Sequence, residues 1–324
     1  MEENILSINN LTVHFEMDYG IVEAVNNLSL SIRRGEVLGL VGETGAGKTT
    51  VALSILGLTQ KPQSHVINGE ILLNGEDLLK KTEKQLRKIR GEKISMIFQD
   101  PMTALNPIQT VGDQIAEVVR IHQKCSRVEA LLKAKELLAT VGIDGARSKE
   151  YPHQFSGGMK QRVVIAIAMA CNPDLLIADE PTTALDVTIQ AQVLELMKEQ
   201  IRQNRMSVLM ITHDLGVIAE ICDRCAVMYA GEIVELGSTY QILDTPRHPY
   251  TIGLLNSLPT IDKDTDRLNA IGGSMSDPLN LPSNCTFCDR CQWKKPECET
   301  GDPVLREIEP GHFIKCFHSE GVRR

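Results

Sequence analysis

The residues best placed to do chemistry begin with the run Gly42-Glu43-Thr44-Gly45-Ala46-Gly47-Lys48-Thr49-Thr50. It fits G-x-x-x-x-G-K-[ST] without a mismatch. The apolar run Val37-Leu38-Gly39-Leu40-Val41 precedes it, and residues 51–58 continue as an apolar helix. Strand, loop and helix in that order are the context in which this motif marks a nucleotide site. Glycines let the backbone fold around phosphate with several N–H groups pointing inward, and the helix N-terminus adds the positive end of its dipole. Lys48 is expected to reach the β- and γ-phosphates as a mobile point charge, and the Thr49 hydroxyl to ligate Mg²⁺.

Four further polar clusters lie at the ends of apolar strands or at a helix start, where ligands of open α/β sheets bind. Asp179 follows Leu175-Leu176-Ile177-Ala178 and reads as a Mg²⁺ partner acting through water. Glu180 is acceptor-only when ionised, so it can orient and polarise the water that attacks the γ-phosphate. Ser156-Gly157-Gly158 opens a strongly apolar helix and forms a second anion site from unpaired N–H groups and a hydroxyl. One phosphate chain hardly needs two such sites on one subunit, which hints at a nucleotide shared between subunits. Gln99 could reach the metal or the water, and His213 could hydrogen-bond the γ-phosphate.

Nine cysteines are many for a reducing compartment, and five of them, Cys285, Cys288, Cys291, Cys298 and Cys316, fall in the last forty residues. Such crowding points to a metal rather than to disulfides. Cys285-x2-Cys288-x2-Cys291 resembles the opening of a ferredoxin-type run. Thiolates in tetrahedral array suit either an iron–sulfur cluster or Zn²⁺, and His312 and His318 could complete a zinc site. Cys222-x2-Cys225 has no second pair nearby and reads as two small buried residues.

The elements that must position these groups follow from periodicity. Residues 5–15 and 21–32 alternate apolar and polar, as half-buried strands do, and would form an antiparallel edge ahead of the phosphate-loop strand. Short apolar strands are expected at residues 71–73, 94–98, 175–178 and 208–212, with a hairpin around Ala230-Gly231. Residues 110–141 read as two helices broken near residues 124–126, and helices are expected from Ser156 to about Ala170 and from Val187 to about Gln203. This βα alternation implies a mostly parallel sheet with helices on both faces. Beyond Pro246 the periodicity fades, and Pro, Gly, Asp and Ser accumulate through residues 259–284 in an irregular stretch.

Composition narrows the partners. With 324 residues, 42% hydrophobic and 23% charged, the chain is that of a globular protein of one large or two ordinary domains. A net charge of -8 argues against nucleic acid. The basic residues between 80 and 93 read as a solvated helix face. No apolar run approaches a bilayer span and the N-terminus has no apolar signal region. The expected place is therefore the cytosol, with any tie to a membrane made through a partner.

Taken together, the phosphate loop, Gln99, Phe155-Ser156-Gly157-Gly158-Met159-Lys160-Gln161-Arg162, residues 175–180, Ala184-Leu185-Asp186 and His213 resemble the ATP-binding subunit of an ABC transporter. Residues 99–107, residues 179–188 and Arg247-His248-Pro249-Tyr250-Thr251 are similar to its dipeptide/oligopeptide (peptide/nickel) importer branch. The resemblance implies an α/β P-loop NTPase core over residues 1–245, with an antiparallel β subdomain and a helical subdomain at about 100–172. A small irregular metal-binding C-terminal module would occupy 246–324. It implies an ATPase using ATP and Mg²⁺, two permease subunits, and a second ABC ATPase subunit or a further copy in an ATP-dependent dimer. An extracytoplasmic solute-binding protein would act indirectly, and the site of action would be the cytoplasmic face of the cell membrane. Ser156, Gly157 and Gly158 would then touch the partner's ATP, with Asp186 at that interface. Gln99 would also serve the metal, and Phe15 or its rival Tyr19 would stack on adenine. In this branch Cys285, Cys291, Cys298 and Cys316 would hold a [4Fe–4S] cluster, with Cys288 an alternative ligand and zinc the alternative metal. The transported solute is a di- or oligopeptide by analogy, nickel or another solute otherwise. A soluble ABC ATPase acting on ribosomes or DNA is the remaining alternative, disfavoured by a single phosphate loop, the lack of a heptad arm and the negative charge.

Overall fold

The computed structural model describes residues 3–183, 185–257 and 271–318. Ala184 and residues 258–270, on which part of the expected irregular stretch falls, lie outside the described residues. Among the described residues the strands are β1 (Asn4–Met17), β2 (Gly20–Arg33), β3 (Val37–Val41), β4 (Ser64–Leu73), β5 (Glu76–Asp77), β6 (Ile94–Ile97), β7 (Leu175–Asp179), β8 (Ser207–Ile211), β9 (Arg224–Tyr229), β10 (Glu232–Ser238), β11 (Arg306–Glu309) and β12 (His312–Ile314). The α-helices are α1 (Lys48–Leu56), α2 (Glu83–Ile89), α3 (Pro101–Ala104), α4 (Val111–Gln123), α5 (Arg127–Thr140), α6 (Gly157–Ala168), α7 (Val187–Asn204), α8 (Leu215–Ile221), α9 (Thr239–Asp244), α10 (Pro249–Asn256) and α11 (Pro296–Thr300).

The chain divides into two units, one of Met1–Leu6, Ile32–Val37 and Leu73–Ile211, the other of Ser7–Ser31, Leu38–Leu72 and Thr212–Arg324. In the first unit β6, β7 and β8 run parallel, with Ile94 opposite Leu175 and Leu175 opposite Ser207. Both β7 and β8 are buried along their whole length, as parallel strands covered on both faces must be. On α4, Val111, Ile115 and Val119 recur every fourth residue and are buried, and α5, which packs on that helix, buries Ala130, Ala134 and Leu138. The expected break between these helices has a local cause. Lys124 takes a left-handed φ of 51°, and Ser126 and Glu129 form a reciprocal capping box that starts α5. Helix α2 has no buried residue, and Arg87 and Arg90 pair with Glu83 at 3.3 and 2.7 Å, which makes the basic stretch a solvated face.

In the second unit the strand order is β11-β12-β10-β9-β3. Only β3 and β9 pair parallel there; β9 with β10, β10 with β12 and β11 with β12 are antiparallel. The strands β1 and β2 belong to a separate sheet ordered β2-β1-β4 rather than to an edge of the phosphate-loop strand's sheet, which corrects the expectation. β4 starts seven residues before the apolar triplet at 71–73; residues 65–68 of its first part are exposed, and the adjacent Val66 and Ile67 do not give the alternation that marks a half-buried strand.

The tail beyond Pro246 is less irregular than its composition implies. β10 buries Glu235 completely, and its carboxylate accepts from the backbone N–H groups of Arg247 at 2.7 Å and His248 at 3.0 Å. His312 of β12 lies 2.8 Å from the same carboxylate through Nε2. A buried acid satisfied three times over fixes the start of α10 and the pairing of β12. Among the described residues no helix is long and apolar enough to cross a membrane.

Candidate functional site

The phosphate loop links β3 to α1 in the second unit. Lys48, the first residue of α1, is buried, and its Nζ donates to the carbonyls of Gly42 at 2.7 Å and Glu43 at 2.9 Å. The loop needs glycine at two of its positions. Gly47 has φ 102° and Gly42 has φ 157°, and a Cβ would collide with the carbonyl of Ala24 at the first and of Met228 at the second. The carbonyl of Ala46 accepts from Gly231 N–H at 3.0 Å, while Thr44, Gly45 and Thr49 stay exposed and Thr50 is half-buried. Sequence reasoning missed two residues here. Tyr250 Oη accepts from the Glu43 N–H at 2.9 Å, and Arg290 forks onto the Glu43 carboxylate.

In the first unit β7 ends at Asp179, 2% exposed, and the chain turns at Glu180 with φ 47°. A left-handed φ on a non-glycine residue is uncommon and marks the position as one to follow. The Glu180 N–H is still anchored to the carbonyl of Ile211 at 2.8 Å. Gln99 Nε2 and Thr183 Oγ1 both donate to Glu180 Oε2 at 3.0 Å. Gln99 and Glu180 are thus brought together from 81 positions apart, and Thr183, read in the sequence only as part of the run 179–188, joins them.

Ser156 caps α6, its hydroxyl accepting from the Met159 N–H at 3.4 Å. Gly157 would place a Cβ in open space, whereas at Gly158 it would collide with Ile189 of α7. Gln161, buried in α6, donates to the carbonyl of Pro181 at 2.5 Å and so ties this helix to the residue after Glu180. Asp186 caps α7, accepting from Ile189 N–H at 3.0 Å. His213 is exposed between β8 and α8, Phe15 is half-buried in β1, and Tyr19 is exposed in the turn between β1 and β2.

The tail thiols share one neighbourhood. Burial pushes the Cys285 thiol up to about 12, with Cys298, Cys316 and Cys288 adding to the shift. Burial likewise pushes Cys291 up to about 11, with Cys316, Cys298 and Cys288 adding, and raises Cys288 and Cys316, each also influenced by Cys298. Yet among the described residues no group of three or more His, Cys, Asp or Glu side chains could hold a metal ion. The metal module expected from the spacing is therefore not visible as a preformed ligand set. His312, offered as a zinc ligand, is fully buried against Glu235. Cys222 and Cys225 are core residues whose thiols burial pushes up, as their isolated spacing implies.

Residues 25–183 match the ABC transporter family, and residues 234–298 match the oligopeptide/dipeptide transporter C-terminal region. The chain is 50% identical over 315 residues to the oligopeptide transport ATP-binding protein AppD of Bacillus subtilis (strain 168), covering 97% of this chain and 96% of the relative. It is 48% identical over 317 residues to the dipeptide transport ATP-binding protein DppD of the same organism, covering 97% and 95%. The chain belongs to the ABC transporter ATP-binding subunits. Among solved structures, this ABC ATPase is similar to the ATP-binding cassette MJ0796 in a dimeric post-hydrolysis state bound to ADP and Pi. The TM-score is 0.65 at 28% identity, over 72% of this chain and 98% of that one. The ABC ATPase thus has the P-loop fold of its family with mixed sheets, and it is an ATP-hydrolysing enzyme.

Proposed function

We propose that this ABC ATPase is the energy-coupling subunit of a membrane importer for di- and oligopeptides. The observation that carries this reading is the near full-length likeness to oligopeptide and dipeptide transport ATP-binding proteins, including the branch-specific C-terminal region. Its partners are two permease subunits and a second ATPase subunit or another copy of itself, at the cytoplasmic face of the membrane, with a solute-binding protein on the other side. Residues 1–245 form the nucleotide-binding domain, with the helical subdomain at about 100–172, and 246–324 the peptide-importer module.

The proposed roles follow from the chemistry of each group. Backbone N–H groups of residues 42–50 cradle the ATP phosphates, Lys48 leaves its loop carbonyls for the β- and γ-phosphates, and Thr49, Asp179 and Gln99 serve Mg²⁺. Glu180 polarises the attacking water; its bonds from Gln99 and Thr183 hold the carboxylate in one orientation. His213 donates to the γ-phosphate, and Phe15 or Tyr19 stacks on adenine. Ser156, Gly157 and Gly158 meet the nucleotide of the partner ATPase. The open space at Gly157 supports that role, since close approach of a phosphate needs it. Asp186 stands at the same interface.

The tail is proposed to hold a [4Fe–4S] cluster through Cys285, Cys291, Cys298 and Cys316, with Cys288 as the alternative ligand. Support comes from the ferredoxin-like spacing. When bound, such a cluster would cross-link a segment too small to fold on its own core. Uptake of labelled dipeptides, longer peptides and nickel by the reconstituted complex tests the transport reading. Peptide uptake abolished by Lys48→Ala is the expected result; nickel uptake without peptide uptake would move the substrate class.

A further inference from the structure

The phosphate loop is held from outside at one residue. Arg290 Nη1 donates to Glu43 Oε2 at 2.7 Å and Nη2 to Oε1 at 3.0 Å, across 247 positions of sequence. The Arg290 side chain is 6% exposed, and its Nε donates to the Gly272 carbonyl at 3.0 Å. The guanidinium lies 5.7 Å from the centre of the Tyr229 ring and 5.9 Å from that of Phe287. Those two rings and Tyr250 form a mutually edge-on or tilted group, with centroids 4.7 to 5.4 Å apart. Glu43 is therefore fixed at three points: its carboxylate by Arg290, its N–H by Tyr250, and its carbonyl by Lys48. The Met275 methyl is 3.0 Å from where a Cβ on Gly45 would stand.

We propose that Arg290 is a positioning residue for ATP binding, which sets the phosphate loop through Glu43 and makes it dependent on the cysteine segment. A bidentate guanidinium–carboxylate pair fixes direction as well as distance, which a lysine cannot do. Because Lys48 shares the Glu43 carbonyl, a shift of Glu43 shifts the cation that ATP needs. Arg290 itself ends the single turn Cys288–Arg290, which is closed by Cys288 N–H to Cys285 O at 2.9 Å and Cys291 N–H to Cys288 O at 3.2 Å. Whatever orders or loosens that turn moves the fork. The inference rests on the ATPase reading and is independent of which metal the cysteines hold.

The test is equilibrium MgATP binding and steady-state hydrolysis by the full chain carrying Arg290→Ala, Arg290→Lys, Glu43→Gln, or Arg290→Ala with Glu43→Gln. Arg290→Ala and Glu43→Gln should each raise Kd and KM for ATP about tenfold and keep kcat within about twofold, the size expected of one strongly coupled pair. The double variant should be no weaker than the worse single one, and Arg290→Lys should recover only part of the loss. Metal content should stay near wild type, and because Arg290→Ala leaves the Glu43 carboxylate unpaired and lowers the unfolding temperature, affinities are compared below each variant's transition. ATP affinity unchanged in a folded Arg290→Ala protein, or effects that simply add in the double variant, would overturn the inference. If Arg290→Ala does not fold, Arg290→Lys decides, since it keeps charge and bulk and loses only the fork. Wild-type protein that fails to bind ATP would instead overturn the ATPase reading itself.

Discussion

The phosphate loop and the cysteine tail are both irregular runs rich in turns, and they differ in how much of their shape is set locally. The loop is set first by its own atoms, Lys48 bonding to Gly42 and Glu43 and two glycines taking backbone angles that other residues resist, while Tyr250 and Arg290 hold Glu43 from outside. The tail is held by distant partners. Lys315 Nζ bridges Glu232 at 2.6 Å and Asp302 at 2.8 Å, Thr286 donates to Glu232 at 3.2 Å, and His312 meets Glu235. A motif carries its geometry when that geometry is local. Where it depends on residues far along the chain, the spacing names the chemistry and leaves the shape unwritten.

The sharpest way to break this comparison is Gly47→Ala. Left-handed strain and the collision with the Ala24 carbonyl together cost about 3 kcal/mol, roughly 100-fold in ATP affinity if the loop yields rather than the fold. Gly157→Ala, with open space around it, should leave thermal stability unchanged. ATP binding by Gly47→Ala at wild-type affinity would mean that the loop is not set by its own backbone.

On the tail side, metal analysis of protein purified without oxygen should give about four iron and four sulfide per chain. These should be lost in Cys285→Ser, Cys291→Ser, Cys298→Ser and Cys316→Ser, and kept in Cys288→Ser. One zinc without sulfide would make the tail a structural zinc site, with His312 still committed to Glu235.

The smallest effect concerns pH. Burial lowers the His248 imidazole from the ordinary 6.5 to about 4. The unfolded chain therefore takes up a proton below pH 6.5 that the native one refuses. Stability from this group is full above pH 6.5 and falls as the pH drops towards 4, by up to about 1.4 kcal/mol per unit. His248→Asn, which keeps an acceptor for the Tyr250 N–H, should flatten that slope in acid denaturation; an unchanged slope would assign it elsewhere.

Much of the fold was legible because period and caps agree. The alternation in β1 and β2, the buried runs of β7 and β8 and the capping box at Ser126 are local signals. What stayed hidden was short or long-range. β12 has three residues, and it is placed by pairing Glu235 with Ile314 and by the buried His312–Glu235 contact. Arg247, His248 and Tyr250 stand in the sequence as a family mark. The structure gives them physical work: two N–H groups on Glu235 and a hydroxyl on Glu43. Glu180 and Gln99 were legible singly as strand-end residues, whereas Thr183, which completes their contact, stood in the sequence only as part of the run 179–188 with no role of its own.

The most direct test of the account is ATP binding and turnover by the assembled complex carrying Glu180→Gln. If Glu180 polarises the attacking water, the variant keeps MgATP bound as a stable dimer while turnover falls about 10²- to 10⁴-fold, the range of a lost general base. Turnover near the wild-type rate would contradict that role and leave the carboxylate held by Gln99 and Thr183 as a structural feature.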